Sequence, residues 1–312
     1  MKAKHIIGLL YHCLYKTPKT WWKYRRNRLH PQEVITDIFA SMGRVMHWDS
    51  PETLDEKIQW LKFNTDTSQW ALLSDKYRVR EYVKQCGLEA LLVPLIGKWD
   101  NVIDIEWEKL PNQFIMKTNH GSADAMICTD KTKIDISEWK YHFILALHRT
   151  YGLQNMEFHY GKIKPCIIAE ELLDASKQTV HSSSLIDYKV WCVNGEPQYT
   201  WACYDRTADN VQVMMYDINW KAVPQKCTDT PHYRIATQKL PCPKTYGQMI
   251  NAARVLAKGF PVVRVDFYEV GDKLYFGEMT FTAAGGFHTF HSQEFQLEIG
   301  KKIDLSLAPQ KV

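Results

Sequence analysis

"VVRVDFYEVGDKLYFGEMT", residues 262–280, reads as two strands around a tight Gly271-Asp272 turn, and it carries Asp266 and Glu278 in otherwise apolar surroundings. Side chains alternate faces along a strand, so Arg264 and Asp266 share one face while Val263, Val265 and Phe267 take the other. Glu278 and Thr280 share a face of the second strand. Register decides whether the two polar faces coincide. A strict two-residue turn pairs Asp266 with Gly277 and sends Glu278 to the opposite face. A three-residue loop, Gly271 to Lys273, or a bulge sets Asp266 directly across from Glu278, and this second register is the one expected. Two carboxylates that close repel unless a proton or a cation lies between them, and a hard divalent cation suits such a pair. The plain alternative is a surface pair on a solvated sheet face.

The 312 residues, 45% apolar and 24% charged, describe an ordinary globular protein of one large or two to three small domains. A net charge of +4 is too mild to argue for nucleic acid, though it is compatible with phosphate-bearing ligands. The eight cysteines show no C-x-x-C or Cys/His spacing, which points to buried thiols in a reducing compartment, hence the cytoplasm. No apolar run reaches the roughly 18 residues of a spanning helix. At the N-terminus, "HIIGLLYHCLY" precedes the basic, aromatic "KTPKTWWKYRRNR". Residues 1–28 therefore suit peripheral contact with an anionic membrane surface, such as the inner face of the cytoplasmic membrane; the alternative is a helix packed on the body with a solvated basic face. Lys16, Thr17 and Pro18 stand where a cleaved signal peptide would need small residues.

Along the chain, Val34, Ile38, Met42 and Val45 mark one helix face. "SPETLDEKIQWLKFN" predicts a helix capped by Ser50, and "DKYRVREYVKQC" one that starts at Ser74 and stops at Gly87. "LLVPLIG", "QFIMK" and "PCIIAEELL" read as strands, and "SEWKYHFILALHRTYG" as a helix ended by Gly152. "LIDYKVWCVNGEPQYTWACY" is a hairpin turning at Asn194-Gly195, followed by the strand "VQVMMYDINW", the helix "YGQMINAARVLAKG", the opening hairpin and the helix "SQEFQLEIGKKI". The class is α+β with mostly antiparallel sheets.

Phosphate loops of the G-x-x-x-x-G-K-S/T kind, G-x-G-x-x-G and G-x-S-x-G are all missing, and so is D-x-D, which weakens a metal-dependent glycosyltransferase. The remaining polar features are distributed. Lys117 ends a strand before the small polar loop Thr118 to Asp124, which includes His120, Gly121 and Ser122 and whose N–H groups could fold over phosphates; an ordinary connection is the alternative. The strand "IIAEELL" opens into Glu170, Glu171 and Leu172, either a plain strand terminus or an edge for adenine and ribose. Asp187 and Lys189 share a strand face, as an internal ion pair or as a lysine that meets a phosphate.

Taken in order, "PETLDEKIQWLK", "SDKYRVREYV", "LPNQFIMKTNHGS", "IIAEELL", "DYKVWCVNGEP" and "GFPVVRVDFYEVGDKLYFGEMTFT" resemble the TupA-like branch of the ATP-grasp superfamily, over about residues 50 to 300. The resemblance implies two α+β subdomains that sandwich ATP, after a mainly helical N-terminal region. The expected divisions are 1–30, a basic aromatic segment; 31–110, the helical region; 111–173, the small subdomain; and 174–312, the subdomain with the metal site. It also implies roles. Asp266 and Glu278 resemble Mg²⁺ ligands, with Thr280 where many such enzymes carry an asparagine. Arg264 resembles the group that neutralises the transferred phosphoryl, and Lys117 and Lys189 the ATP phosphate contacts. Glu170, Glu171 and Leu172 match the adenine hinge, and Lys76 lies in an Asp-Lys element of the preceding region. Two departures stand out: Thr280 itself, and Ala-Asp-Ala after Ser122 where the pattern tends to continue with glycine.

The activity so implied is ligation of a carboxylate to an amine through an acyl phosphate. The expected partners are a uronic-acid sugar, nucleotide- or lipid-linked, and an amino acid, in the biosynthesis of a bacterial capsule, O-antigen or other surface polysaccharide. A glycosyltransferase of the same pathway and an ATP-grasp kinase are the rival readings. His120, His288 and His291 are candidate substrate contacts, and "TFTAAGGFHTF" is a candidate flexible loop.

Overall fold

A computed structural model describes residues 2–311, so Met1 and Val312, at the outer ends of the first and last expected divisions, lie outside the described residues. The chain forms two compact units, neither contiguous in sequence. The first comprises the stretch ending at Val34, Ala71–Val79 and Val93–Leu172; the second comprises Ile35–Trp70, Arg80–Leu92 and the stretch from Leu173 onward.

In the first unit, β1 (Leu95–Trp99), β2 (Phe114–Thr118), β3 (Met126–Cys128) and β4 (Ile167–Glu170) form an antiparallel sheet in the order β1-β4-β2-β3. Alternation along β2 buries Phe114 and Met116, which join Ile167 and Ala169 in a core with Trp139, Phe143 and Ala146 of the helix Ile136–Leu147. Asp135 caps that helix by accepting from the N–H groups of Ser137 and Glu138. The helix was expected to reach Gly152 but ends five residues sooner. His148 turns its Nδ1 onto the Ile144 carbonyl at 2.8 Å, and Gly152 serves the following loop at φ +86°. At the N-terminus, the helix Ala3–Tyr11, a π-helical turn His12–Lys16 and the helices Thr17–Lys23 and Arg25–Leu29 run on. His5 stacks on Tyr141 at 4.8 Å, and the missing Cβ of Gly8 leaves room for the same ring.

In the second unit, β5 (Asp187–Val193), β6 (Glu196–Tyr204), β7 (Val211–Asp217), β8 (Tyr233–Ile235), β9 (Val262–Val270) and β10 (Lys273–Thr280) form a sheet in the order β10-β9-β5-β6-β7-β8, antiparallel except for β7 with β8. The two expected hairpins are present. Asn194-Gly195 and Gly271-Asp272 are two-residue turns with positive φ at both positions, the geometry whose twist matches the strands it joins. One sheet face carries Val190, Cys192, Val263 and Val265 and is covered by the helix Tyr246–Ala257 through Met249, Ala252, Ala253 and Leu256.

Several helix boundaries differ from expectation for local reasons. The helix Leu54–Asn64 is capped by Thr53, not Ser50, because Thr53 and Glu56 exchange hydrogen bonds in a capping box. The run expected from Ser74 is two helices, Ser68–Ser74 and Val79–Gln85, because the Asp75 carboxylate takes the N–H groups of Tyr77 and Arg78. In Pro31–Ser41 the buried residues are Ile35 and Phe39 rather than the row from Val34 to Val45, and Val45 is exposed. All eight cysteines are free thiols, five of them buried.

Candidate functional site

Asp266 and Glu278 face each other, as the second register requires. The hairpin achieves this with a two-residue turn, Val270 opposite Lys273, and a bulge at Gly277 that brings Glu278 opposite Asp266 and Thr280 opposite Arg264. A Cβ on Gly277 would lie 2.9 Å from the Asp266 carbonyl oxygen, so the bulge requires glycine. On the other flank of β9, Lys189 is directly opposite Asp266. Asp187, Lys189, Arg264, Asp266, Glu278 and Thr280 thus share the sheet face away from the helix Tyr246–Ala257.

Their geometry is tight. Arg264 grips Asp266 side-on, Nε to Oδ1 at 2.7 Å and Nη2 to Oδ2 at 2.8 Å, while Lys189 Nζ reaches Oδ2 at 2.6 Å. Lys189 also lies 3.4 Å from Asp187, and Arg264 3.8 Å from Glu278. The Thr280 hydroxyl accepts from Arg264 and donates to Glu278, each at 3.3 Å. Burial pushes the Asp266 carboxyl upward, but the Arg264 and Lys189 cations outweigh it and hold the group below its ordinary range. Burial likewise lowers Lys189 and Arg264, and the carboxylates around them reverse the shift, so all three stay charged. Asp266 is 1% exposed whereas the Glu278 side chain is 39% exposed, so the cluster opens to solvent on the Glu278 side.

The first unit holds the other expected residues. Lys117 on β2 pairs with Glu170 at the end of β4 at 2.7 Å. Lys76 donates from its backbone to Asn119 O and from Nζ to Gly121 O at 2.7 Å, tying the helix-end segment to the loop. That loop is closed by Asp124, which accepts from the N–H and hydroxyl of Thr118. Gly121 is packed inside, where a Cβ would meet Thr118 Oγ1 at 2.8 Å and Asp124 Oδ2 at 2.9 Å, while Ser122 is exposed. His120 is buried, its Nε2 3.4 Å from Arg149 O, and burial lowers its pKa toward the neutral ring. The Glu171 N–H is already committed to Pro94 O; its side chain is exposed and Leu172 is half-buried. A cavity of about 780 Å³ in this unit is bounded by Lys16, Tyr24, His148 and Arg149; Ala123 and Asp124, at the end of the candidate loop, line it, but Lys76, Lys117, His120, Gly121, Ser122 and Glu170 do not.

Two expectations fail. His288 and His291 are buried in the core of the second unit, where His288 donates to Asp55 and His291 packs against Trp191, Trp201 and Phe295; neither reaches solvent to meet a substrate. The segment around Gly285-Gly286 is pinned rather than loose: Gln59 Nε2 donates to both glycine carbonyls at 3.0 and 2.8 Å, and Lys62 to Gly285 O at 2.6 Å. Two neighbours of the cluster were missed. Tyr268 continues the Arg264, Asp266 face and is kept protonated by Asp187 and by burial, which the period-two pattern alone could have suggested. Arg206, 3.4 Å from Asp187, comes from a loop with no pattern to mark it.

A family model described as TupA-like ATPgrasp matches residues 56–304. Among solved structures, D-alanine–D-alanine ligase from Helicobacter pylori is 12% identical, with 80% of this chain and 68% of that one covered at a TM-score of 0.44. The ATP complex of D-alanine–D-alanine ligase from Bacillus anthracis is likewise 12% identical, covering 88% and 72% at a TM-score of 0.42. No curated protein matches the chain.

Proposed function

The chain belongs to the TupA-like ATP-grasp family, and from that premise we propose that it is an ATP- and Mg²⁺-dependent ligase joining a carboxylate to an amine. The observation that carries the reading is the side-by-side placement of Lys189, Asp266 and Glu278, with Arg264, on one face of the second sheet. A buried cluster with two cations and an open carboxylate suits charge that arrives with a ligand.

In the proposed reaction a substrate carboxylate oxygen attacks the γ-phosphorus of ATP and ADP leaves. The amine nitrogen then attacks the acyl carbon of the acyl phosphate, inorganic phosphate leaves, and the nitrogen loses a proton to give the amide. Lys117 and Lys189 are the proposed phosphate contacts, and Arg264 neutralises the transferred phosphoryl oxygens. The peptide groups of Glu171 and Leu172, beside Glu170, are the proposed adenine edge, with the Glu171 carbonyl rather than its engaged N–H taking part.

The donor set fits Mg²⁺. Asp266, Glu278 and Thr280 offer only oxygen, and among the described residues no three His, Cys, Asp or Glu side chains converge on a metal by themselves. Such a site suits an ion that takes one or two carboxylates and completes its shell with nucleotide phosphates and water. When bound, Mg²⁺ would supply positive charge to the phosphate oxygens. Arg264 and Lys189 keep Asp266 ionised and oriented.

For substrates we propose an amino acid and a uronic acid of a surface polysaccharide, nucleotide- or lipid-linked; the support is the family alone. The test is incubation of the protein with Mg²⁺-ATP and a panel of uronic-acid nucleotides and amino acids, following ADP and product mass. ADP that appears only with both co-substrates, with a mass gain equal to an amide, is the expected result. ADP with a hydroxyl acceptor and no amine would make it a kinase, and consumption of a nucleotide sugar without ATP turnover would make it a glycosyltransferase.

A further inference from the structure

Between Lys2 and Gln32 the chain carries eight Lys and Arg residues and no Asp or Glu, so the basic excess of the whole protein resides in this segment and the remainder is acidic on balance. The structure divides the segment lengthwise. His5, Gly8, His12, Thr17, Thr20, Tyr24 and Asn27 turn inward, spaced as one helix face except for the five-residue step from His12 to Thr17. That step coincides with the π-helical turn His12–Lys16, whose extra residue keeps the inward row in phase. The segment is fastened to the rest of its unit: the exposed Lys2 and Lys4 at its start pair with Asp135 and Glu138, and from the inward row His5 lies on Tyr141 and Asn27 donates to the carbonyls of Leu153 and Gln154.

The outward row is apolar and unusually bare. Ile7 is 68% exposed, Leu14 76% and Trp22 65%, with Ile6, Leu10, Tyr11 and Trp21 also about half exposed or more. A row of this length is rare on a soluble surface without a partner. Arg28 lies over Trp21 at 4.0 Å and Arg25 over Trp22 at 5.9 Å, so the indoles and guanidinium groups share one edge.

We propose that residues 2–29 form an interfacial device that docks the protein on an anionic lipid bilayer, with Ile6, Ile7, Leu10 and Leu14 entering the acyl boundary and Trp21 and Trp22 at headgroup level. The charge selects the occupant. A second copy of this basic segment would repel it, whereas a bilayer of acidic lipids offers negative charge and an apolar layer in the same plane. Among the described residues no helix is long and apolar enough to cross a membrane, so the segment lies on the surface. Neither term suffices alone, since stable attachment takes an apolar anchor together with a polybasic patch. The inference does not depend on the ligase reading.

The test is co-sedimentation of the full chain with vesicles of phosphatidylcholine, alone or mixed with an equal amount of phosphatidylglycerol. Binding is expected to the mixed vesicles only and to weaken with salt. Lys19→Glu and Lys23→Glu should each lower affinity about fivefold or more. The combined Ile7→Asp, Leu10→Asp, Leu14→Asp variant should lose binding while keeping the thermal melting curve of the parent. Equal binding to neutral vesicles, or none to either, overturns the proposal. So does self-association without lipid that the same triple variant abolishes, which would assign the face to a second copy.

Discussion

Two buried carboxylates in the second unit are each held by two basic side chains, and they differ in what they connect. Asp55 accepts from Arg44 at 2.7 Å and from the ring and backbone of His288 at 2.5 and 3.0 Å, with no exposure at all. One partner lies 11 residues before it and the other 233 residues after it, and among the described residues Arg44 and His288 each have Asp55 as their one carboxylate in an ion-pair contact. Asp266 accepts from Arg264 and Lys189, which come from its own strand and the adjacent one, and each of these has a second carboxylate within 4 Å, Glu278 or Asp187. The first arrangement ties the helix Leu54–Asn64 to the segment 283–288. The second holds surplus charge at an opening. Burial and ion pairing are common to both, so neither separates the proposed ligand site from a structural tie; the spare partners and the open edge are what differ.

Asp266→Asn would test the contrast most severely. Turnover in the ligase assay should fall by about 10³-fold, while the melting temperature moves little, because Lys189 retains Asp187 and Arg264 retains Glu278. A collapse of the melting temperature would place Asp266 with Asp55 as a structural tie. Asp55→Ala should do the reverse, costing about 3–5 kcal/mol in a urea titration by leaving the half-buried Arg44 guanidinium and the buried His288 ring without their carboxylate. A variant that stays near parental stability would break the contrast from the other side. Gly286→Ala should cost about 1–2 kcal/mol, since φ is +77° and the new methyl would lie 2.9 Å from Ile58 Cγ2; a smaller loss would mean that the Gln59 clamp gives way easily.

The smallest effect concerns pH. Burial pushes Glu298 upward, but Lys226, Tyr199 and Lys302 together pull it down to about 2. A carboxyl with a lowered folded-state pKa stabilises fully above its unfolded value, near 4.5, and that contribution is lost as pH falls toward 2. Glu298→Gln should therefore melt slightly below the parent at neutral pH, and the two curves should converge in acid. The difference should be modest because the side chain is partly exposed. A gap that persists at low pH would assign it to packing instead.

The hairpins were legible because their information is local: Asn194-Gly195 and Gly271-Asp272 dictate turns, and alternation dictates faces. The same locality made Arg264, Asp266 and Glu278 readable as a set, whereas Lys189, 77 residues from Asp266, joined them only through the family resemblance. The cap at Thr53 was misplaced because Ser50-Pro51 is also a good helix start, and only the capping box with Glu56 separates the two. The roles of His288 and Gly285-Gly286 were beyond reach, because Asp55, Gln59 and Lys62 lie more than 200 residues away in sequence. The discontinuous units were hidden for the same reason, since no linker marks where the chain passes from one to the other.

Gly277 separates two quantities that a strand usually links, the number of residues from the turn and the parity of the face. Counted from Lys273, Glu278 has the wrong parity to meet Asp266, and the bulge absorbs the odd residue. Deleting Gly277 would therefore restore an even count and leave the two carboxylates face to face on a straighter strand. Replacing it would force a side chain against the Asp266 carbonyl. At this position the hairpin should withstand a deletion better than a substitution, the opposite of what a comparison of sequences alone would suggest.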